Sequence, residues 1–154
     1  MKREYKDIEL LHSELESELS KFQRSILEKG HQVETLKNDN ENELDTIFKD
    51  LISVIDSFDK ADSKLAEQFS DDENVEKARK RFATSKKKLM EILTKNGVSE
   101  IQFPDGVAVL EDCLIQDAVP DADKPNDTIV SILKAGYRRN GRLLRSAEVV
   151  IVKN

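Results

Sequence analysis

The chain has 154 residues, of which 36% are charged and only 5% aromatic; tryptophan is absent and the formal net charge is −6. So charged a chain buries little per residue, which favours an elongated, self-associating molecule over a large-cored monomer. The acidic balance argues against a nucleic-acid footprint, and no apolar run approaches the ~20 residues that span a bilayer.

The N-terminal Met1-Lys2-Arg3-Glu4-Tyr5-Lys6-Asp7 lacks the apolar stretch of a secretory signal. A single cysteine, Cys113, cannot form an internal disulfide, so a cytoplasmic setting is expected. With only His12 and His31 beside it, zinc-site spacings are missing, and neither metal nor cofactor is expected.

From about Glu4 to Phe69 there is no proline and one glycine, Gly30. Ile8, Leu11, Leu15, Leu19, Phe22 and Ile26, then Val33 and Leu36, recur in steps of three or four and trace one stripe on a helix. Ile8 and Leu19, Leu11 and Phe22, and Leu15 and Ile26 are each eleven residues apart. That period suits a nearly straight or slightly right-handed helix pair rather than a left-handed supercoil. The stripe thins at Asn38, Asp39, Asn40 and Asn42, which are poor helix formers. It returns, broader, at Leu44, Ile47, Phe48, Leu51, Ile52, Val54, Ile55 and Phe58. One helix of about 65 residues would be a rod of roughly 100 Å, and with one narrow apolar face it requires a partner helix. Gly30 and Asn38 to Asn42 are its expected weak points.

Ser70-Asp71-Asp72-Glu73 reads as a capping box, opening a second helix with Val75, Ala78, Phe82, Leu89, Ile92 and Leu93 and stopping at Asn96-Gly97. This helix and the Leu44 to Phe58 segment are expected to form an antiparallel hairpin, and two hairpins a four-helix bundle.

Beyond Gly97 the pattern turns to strands. Val98, Ile101 and Phe103 precede the turn Pro104-Asp105-Gly106, and Val107 to Leu110 resumes an apolar run. Cys113 to Val119, Thr128 to Lys134 and Leu143 to Val152 complete a small all-β module around a loop at Pro120 to Asp127. Asn140-Gly141 is the pair that best accepts two positive φ angles in a type I′ hairpin turn. Lys134, Arg138, Arg139, Arg142 and Arg145 cluster around it with no acid between them. The fold expected is therefore α+β: a paired dimer helix at 1–43, a helical hairpin at 44–97 and a β domain at 98–154.

These residues resemble the GrpE family. Gly136-Tyr137, three residues, Gly141, two residues, Leu144-Arg145, then Ala147, Val149 and Ile151 at alternate positions match the C-terminal half of its signature. Leu51 to Ala61 is similar to the family's leucine-rich helical segment, and Lys95-Asn96-Gly97-Val98 to its link between helices and β domain. The first half of the signature falls on about Gly106 to Cys113, where only the following Leu114 fits and Glu111 stands in place of a histidine. Ser146 replaces a signature proline, and an arginine-rich helix patch is reduced to Lys29, Gly30 and His31.

The resemblance implies a homodimer with parallel long helices that serves as an ADP exchange factor and co-chaperone. Its partner would be a DnaK-type chaperone, standard or specialised, whose nucleotide-binding domain it opens. The alternative is a coiled-coil adaptor that docks a protein without exchange activity.

Arg142 is the leading contact residue implied by the family, against the plain reading of a solvated hairpin arginine. Arg138, Leu133, Leu143, Lys29 and His31 are further candidates for the partner surface. Ile8, Leu11, Leu15, Leu19, Phe22, Ile26, Leu44, Leu51, Ile55 and Phe58 are the dimerisation candidates. Arg145 is read either as a further partner contact or, at least as readily, as a brace of the module that pairs with an acid such as Asp117 or Glu148; Tyr137 is expected to pack, and Gly136 to relieve a strained backbone position. No enzymatic site is expected: Cys113 reads as a small buried hydrophobe in an acidic context, Asp71 to Glu73 as helix-start chemistry, and no glycine-rich phosphate loop occurs.

Overall fold

The structure, a computed structural model, describes residues 2–69 and 72–154, and the side chains of all of these except residues 2–7. Helix α1 spans Lys2–Gln68 without interruption. The expected weak points do not break it. Gly30 costs about 1 kcal/mol relative to alanine and each asparagine up to about 0.7 kcal/mol, too little to open a helix that continues on both sides. The chain divides into two compact units, α1 up to Leu44 and the segment Asp45–Asn154. In the first, Ile8, Leu11, Leu15, Leu19, Phe22, Ile26, Val33 and Leu36 are all more than half exposed.

In the second unit, the remainder of α1 lies antiparallel to α2, Glu73–Lys95. The Phe58 and Phe82 rings meet with centroids 6.1 Å apart. Arg79 forms a two-pronged pair with Asp62 at 2.7 and 3.0 Å, and Lys86 reaches Asp59. The Arg79 hydrogen bond holds the Asp62 carboxyl below its ordinary pKa. Ile52, Ile55 and Leu93 are fully buried. Ile55, one of the dimerisation candidates, is thus packed within the chain itself.

The cap of α2 also differs from expectation. Asp72 is the N-cap, its carboxylate accepting from the N–H groups of Asn74 and Val75. Ser70 and Asp71, the first half of the expected capping box, lie outside the described residues, and Glu73 is the first helical residue rather than the third. A carboxylate in the cap answers both the orphan amides and the positive end of the helix.

Gly97 ends α2 with φ +78°, the left-handed position that favours glycine. A β-carbon there would also lie 2.0 Å from Asn140 Oδ1. The Asn140 N–H donates to the Gly97 carbonyl at 2.9 Å, so the helix exit and the hairpin turn are built against each other.

Strands β1 (Val98–Glu100), β4 (Tyr137–Arg139) and β5 (Arg142–Arg145) form one three-stranded sheet, ordered β1-β4-β5. Strands β2 (Cys113–Val119), β3 (Ile129–Lys134) and β6 (Ala147–Val152) form the other, ordered β2-β6-β3. Central β6 pairs parallel with β2 and antiparallel with β3. The expected strand from Leu143 to Val152 is split at Ser146, where the chain leaves one sheet for the other; Ala147 N–H then donates to the Asp112 carbonyl at 2.8 Å. Val107 to Leu110 contributes only a single bridge, Val107 to Thr128, because the Asp112 and Cys113 amides turn back onto the Val109 carbonyl.

Cys113, Ala147, Val149 and Ile151 form the β core, with Phe103, Ala108 and Ile129 packed on it. Burial pushes the Cys113 thiol pKa up, as expected of a packed, inert thiol. Tyr137 is 2% exposed, and burial raises its phenol to about 12.

Gly136 serves space rather than backbone strain. Its φ is not among the positive ones, but a β-carbon would sit 2.6 Å from Ala147 N and 2.9 Å from Ile101 Cδ1. Gly136→Ala is therefore expected to destabilise the module by about 2 kcal/mol. An unchanged thermal midpoint for that variant would refute the close-approach argument.

Candidate partner-binding hairpin

The β4–β5 hairpin turns at Asn140 and Gly141, with φ of 49° and 81°, the two positive values that a type I′ turn requires. Its arginines do not simply decorate a solvated loop. Arg139 is buried, donates to Asp45 Oδ1 at 2.8 Å, and lays its guanidinium 5.0 Å from the Phe48 ring centroid. Arg142 pairs with the other oxygen of the same aspartate.

Arg145 grips both oxygens of Asp56, donates twice to the Ala135 carbonyl and lies 5.4 Å from the Tyr137 ring centre. Its expected partners are corrected. Glu148 is taken by Lys134 at 2.8 Å, and the Asp117 carboxylate accepts from the Ala118 N–H. Arg138 is held by Asp112 and by the Gly141 carbonyl.

Asp45 and Asp56 are eleven residues apart, three helical turns, and so share one face of α1 about 16 Å apart. That face is otherwise apolar, carrying Phe48 and Ile52. Sequence reasoning missed both aspartates as anchors, although two carboxylates in line with a buried stripe were a readable signal: a carboxylate on such a face needs a hydrogen-bonding partner to offset its lost hydration.

Among the candidates, Arg142 keeps 56% of its side chain exposed, against 34% for Arg138, 24% for Arg145 and 8% for Arg139. Leu143 stands on β5 and Leu133 on β3 of the other sheet, both substantially exposed. Lys29 and His31 belong to the first unit. Both are exposed, and Lys29 Nζ donates to Gln32 Oε1 at 3.3 Å.

The GrpE family model matches residues 1–153. The chain belongs to the GrpE family. It is similar to Protein GrpE of Francisella tularensis subsp. novicida strain U112, with 31% identity over 92% of this chain and 74% of that protein. The same values hold for Protein GrpE of the subsp. tularensis strains WY96-3418 and SCHU S4.

GrpE proteins are nucleotide exchange co-chaperones, and at the level of the family this chain is one. No helix of the described residues is long and apolar enough to cross a membrane.

Proposed function

We propose that this GrpE-family chain acts in the cytoplasm as a homodimer that binds the nucleotide-binding domain of a DnaK-type chaperone and releases its ADP. Residues 1–43 would supply the paired helix, 44–97 the bundle and 98–154 the chaperone-facing domain. The mechanism is differential binding. An exchange factor that binds the open cleft more tightly than the closed one shifts the population towards open by that difference in affinity. The chain makes and breaks no bond itself.

The observation that carries this reading is the uneven commitment of the hairpin arginines. Three are largely used up inside the chain, whereas Arg142 presents more than half of its side chain to solvent. Its planar fork suits a carboxylate or a pair of backbone carbonyls on the partner. Leu143, next to it, adds exposed apolar surface. Leu133, Arg138, Lys29 and His31 are proposed as secondary contacts.

Labelled ADP preloaded on the chaperone of the same cell should leave faster when the chain is added in the presence of ATP. Binding without acceleration would instead establish a docking adaptor and end the exchange-factor reading.

A further inference from the structure

We propose that Asp45 is a positioning residue for Arg142, holding the exposed guanidinium in the geometry the partner meets. The inference rests on the reading of Arg142 as a partner contact and adds the device behind it. Asp45 belongs to helix α1, its side chain is 14% exposed, and each of its oxygens serves a different arginine.

The two arginines play unequal parts. Arg139 is 8% exposed and rests on the Phe48 ring, so it is fixed by packing and fixes Asp45 Oδ1 in turn. Oδ2 is thereby aimed at the hairpin, where Arg142 Nη2 takes it.

A guanidinium carries five N–H donors in a rigid plane. Asp45 engages Nη2, and Nε and Nη1 have no hydrogen-bond partner among the described residues. Nη2 carries a second hydrogen, so one bidentate edge of the plane, shared with Nε or with Nη1, stays open to a partner carboxylate or carbonyl pair. The three side chains together carry a net charge of +1. An acidic group therefore approaches a fixed cation whose rotamers are already restricted, rather than a long flexible arm that must be ordered on binding. Asp45 contacts no partner in this scheme; it acts through Arg142.

The test is a double-mutant cycle on the 154-residue chain, with affinity for the nucleotide-free DnaK-type chaperone of the same cell measured by calorimetry. Asp45→Asn is expected to weaken binding about fivefold when Arg142 is present and by less than about 1.5-fold in an Arg142→Ala background. An equal loss in both backgrounds would show that Asp45 serves stability alone and would overturn the proposal. Unchanged or tighter binding of Asp45→Asn would overturn it too. If Arg142→Ala by itself leaves affinity untouched, the contact reading fails, a separate and recognisable outcome.

A partner-free measurement covers poor folding of Asp45→Asn. Nitrogen-15 relaxation at Arg142 Nε should report an ordered side chain in the wild type and a mobile one in Asp45→Glu, whose extra methylene displaces the carboxylate while keeping its charge. Equal order in both proteins would count against Asp45.

Discussion

Truncating Asp56 to alanine is expected to remove about 2–3 kcal/mol from the stability of the Asp45–Asn154 unit, read as a lower urea midpoint at unchanged slope. The reasoning starts from what remains behind. Arg145 is 24% exposed and gives Asp56 two hydrogen bonds, one to each carboxylate oxygen. Without them the guanidinium keeps only the Ala135 carbonyl and the Tyr137 ring. A fully exposed pair would be worth at most about 1 kcal/mol, and breaking a fully buried one costs about 3–5 kcal/mol; this pair lies between them.

Arg145→Ala should cost less than Asp56→Ala, because an aspartate 28% exposed recovers water more easily than a guanidinium stacked on a buried tyrosine. The double variant should be less unstable than the two single losses added together, by about 1 kcal/mol. Full additivity would mean that the two residues act independently and that the hairpin is not braced on α1 through this pair.

The contrast between Asp56 and the expected partners of Arg145 shows where sequence stops being legible. Spacing revealed the helices because a period of three to four residues is written locally. The Asn140-Gly141 turn was equally readable, since two positive φ angles in succession admit few residue pairs. Partner choice is different. Glu148 and Asp117 are close to Arg145 in sequence, yet Glu148 answers Lys134 across the β3–β6 pairing, and Asp117 turns to its own backbone.

The carboxylate that Arg145 finds is 89 residues away, brought near by the helix face. Gly136 teaches the same lesson. Its sequence position suggests backbone freedom, whereas its role comes from the Ala147 amide lying against it. The GrpE signature carried this information without displaying it, because Gly136, Tyr137, Arg145 and Ala147 are the residues that meet at this corner.

Replacing Leu15 and Phe22 together by aspartate is expected to leave a chain that is monomeric at micromolar concentration, whereas the wild type is expected to sediment as a dimer. In the first unit Ile8, Leu11, Leu15, Leu19, Phe22 and Ile26 all lie open to solvent along one line of α1. Fully covering one such side chain is worth roughly 1.5–3 kcal/mol, and six on each of two helices would supply the drive for pairing against the entropy of association. Leu15 and Phe22 are seven residues apart on that line, so the double substitution places four carboxylates along the seam of a dimer. Each would have to be desolvated without a partner or force the helices apart.

Far-ultraviolet circular dichroism should show a loss of helix with the loss of the dimer, because a single amphipathic helix of this length gains most of its stability from packing. The Asp45–Asn154 unit, which carries its own buried core of Ile52, Leu93, Val98 and Val149, should keep its cooperative unfolding. A double variant that still sediments as a dimer would place the self-association elsewhere, on the exposed apolar residues Ile47, Val54, Phe82 and Ile92 of the helical hairpin.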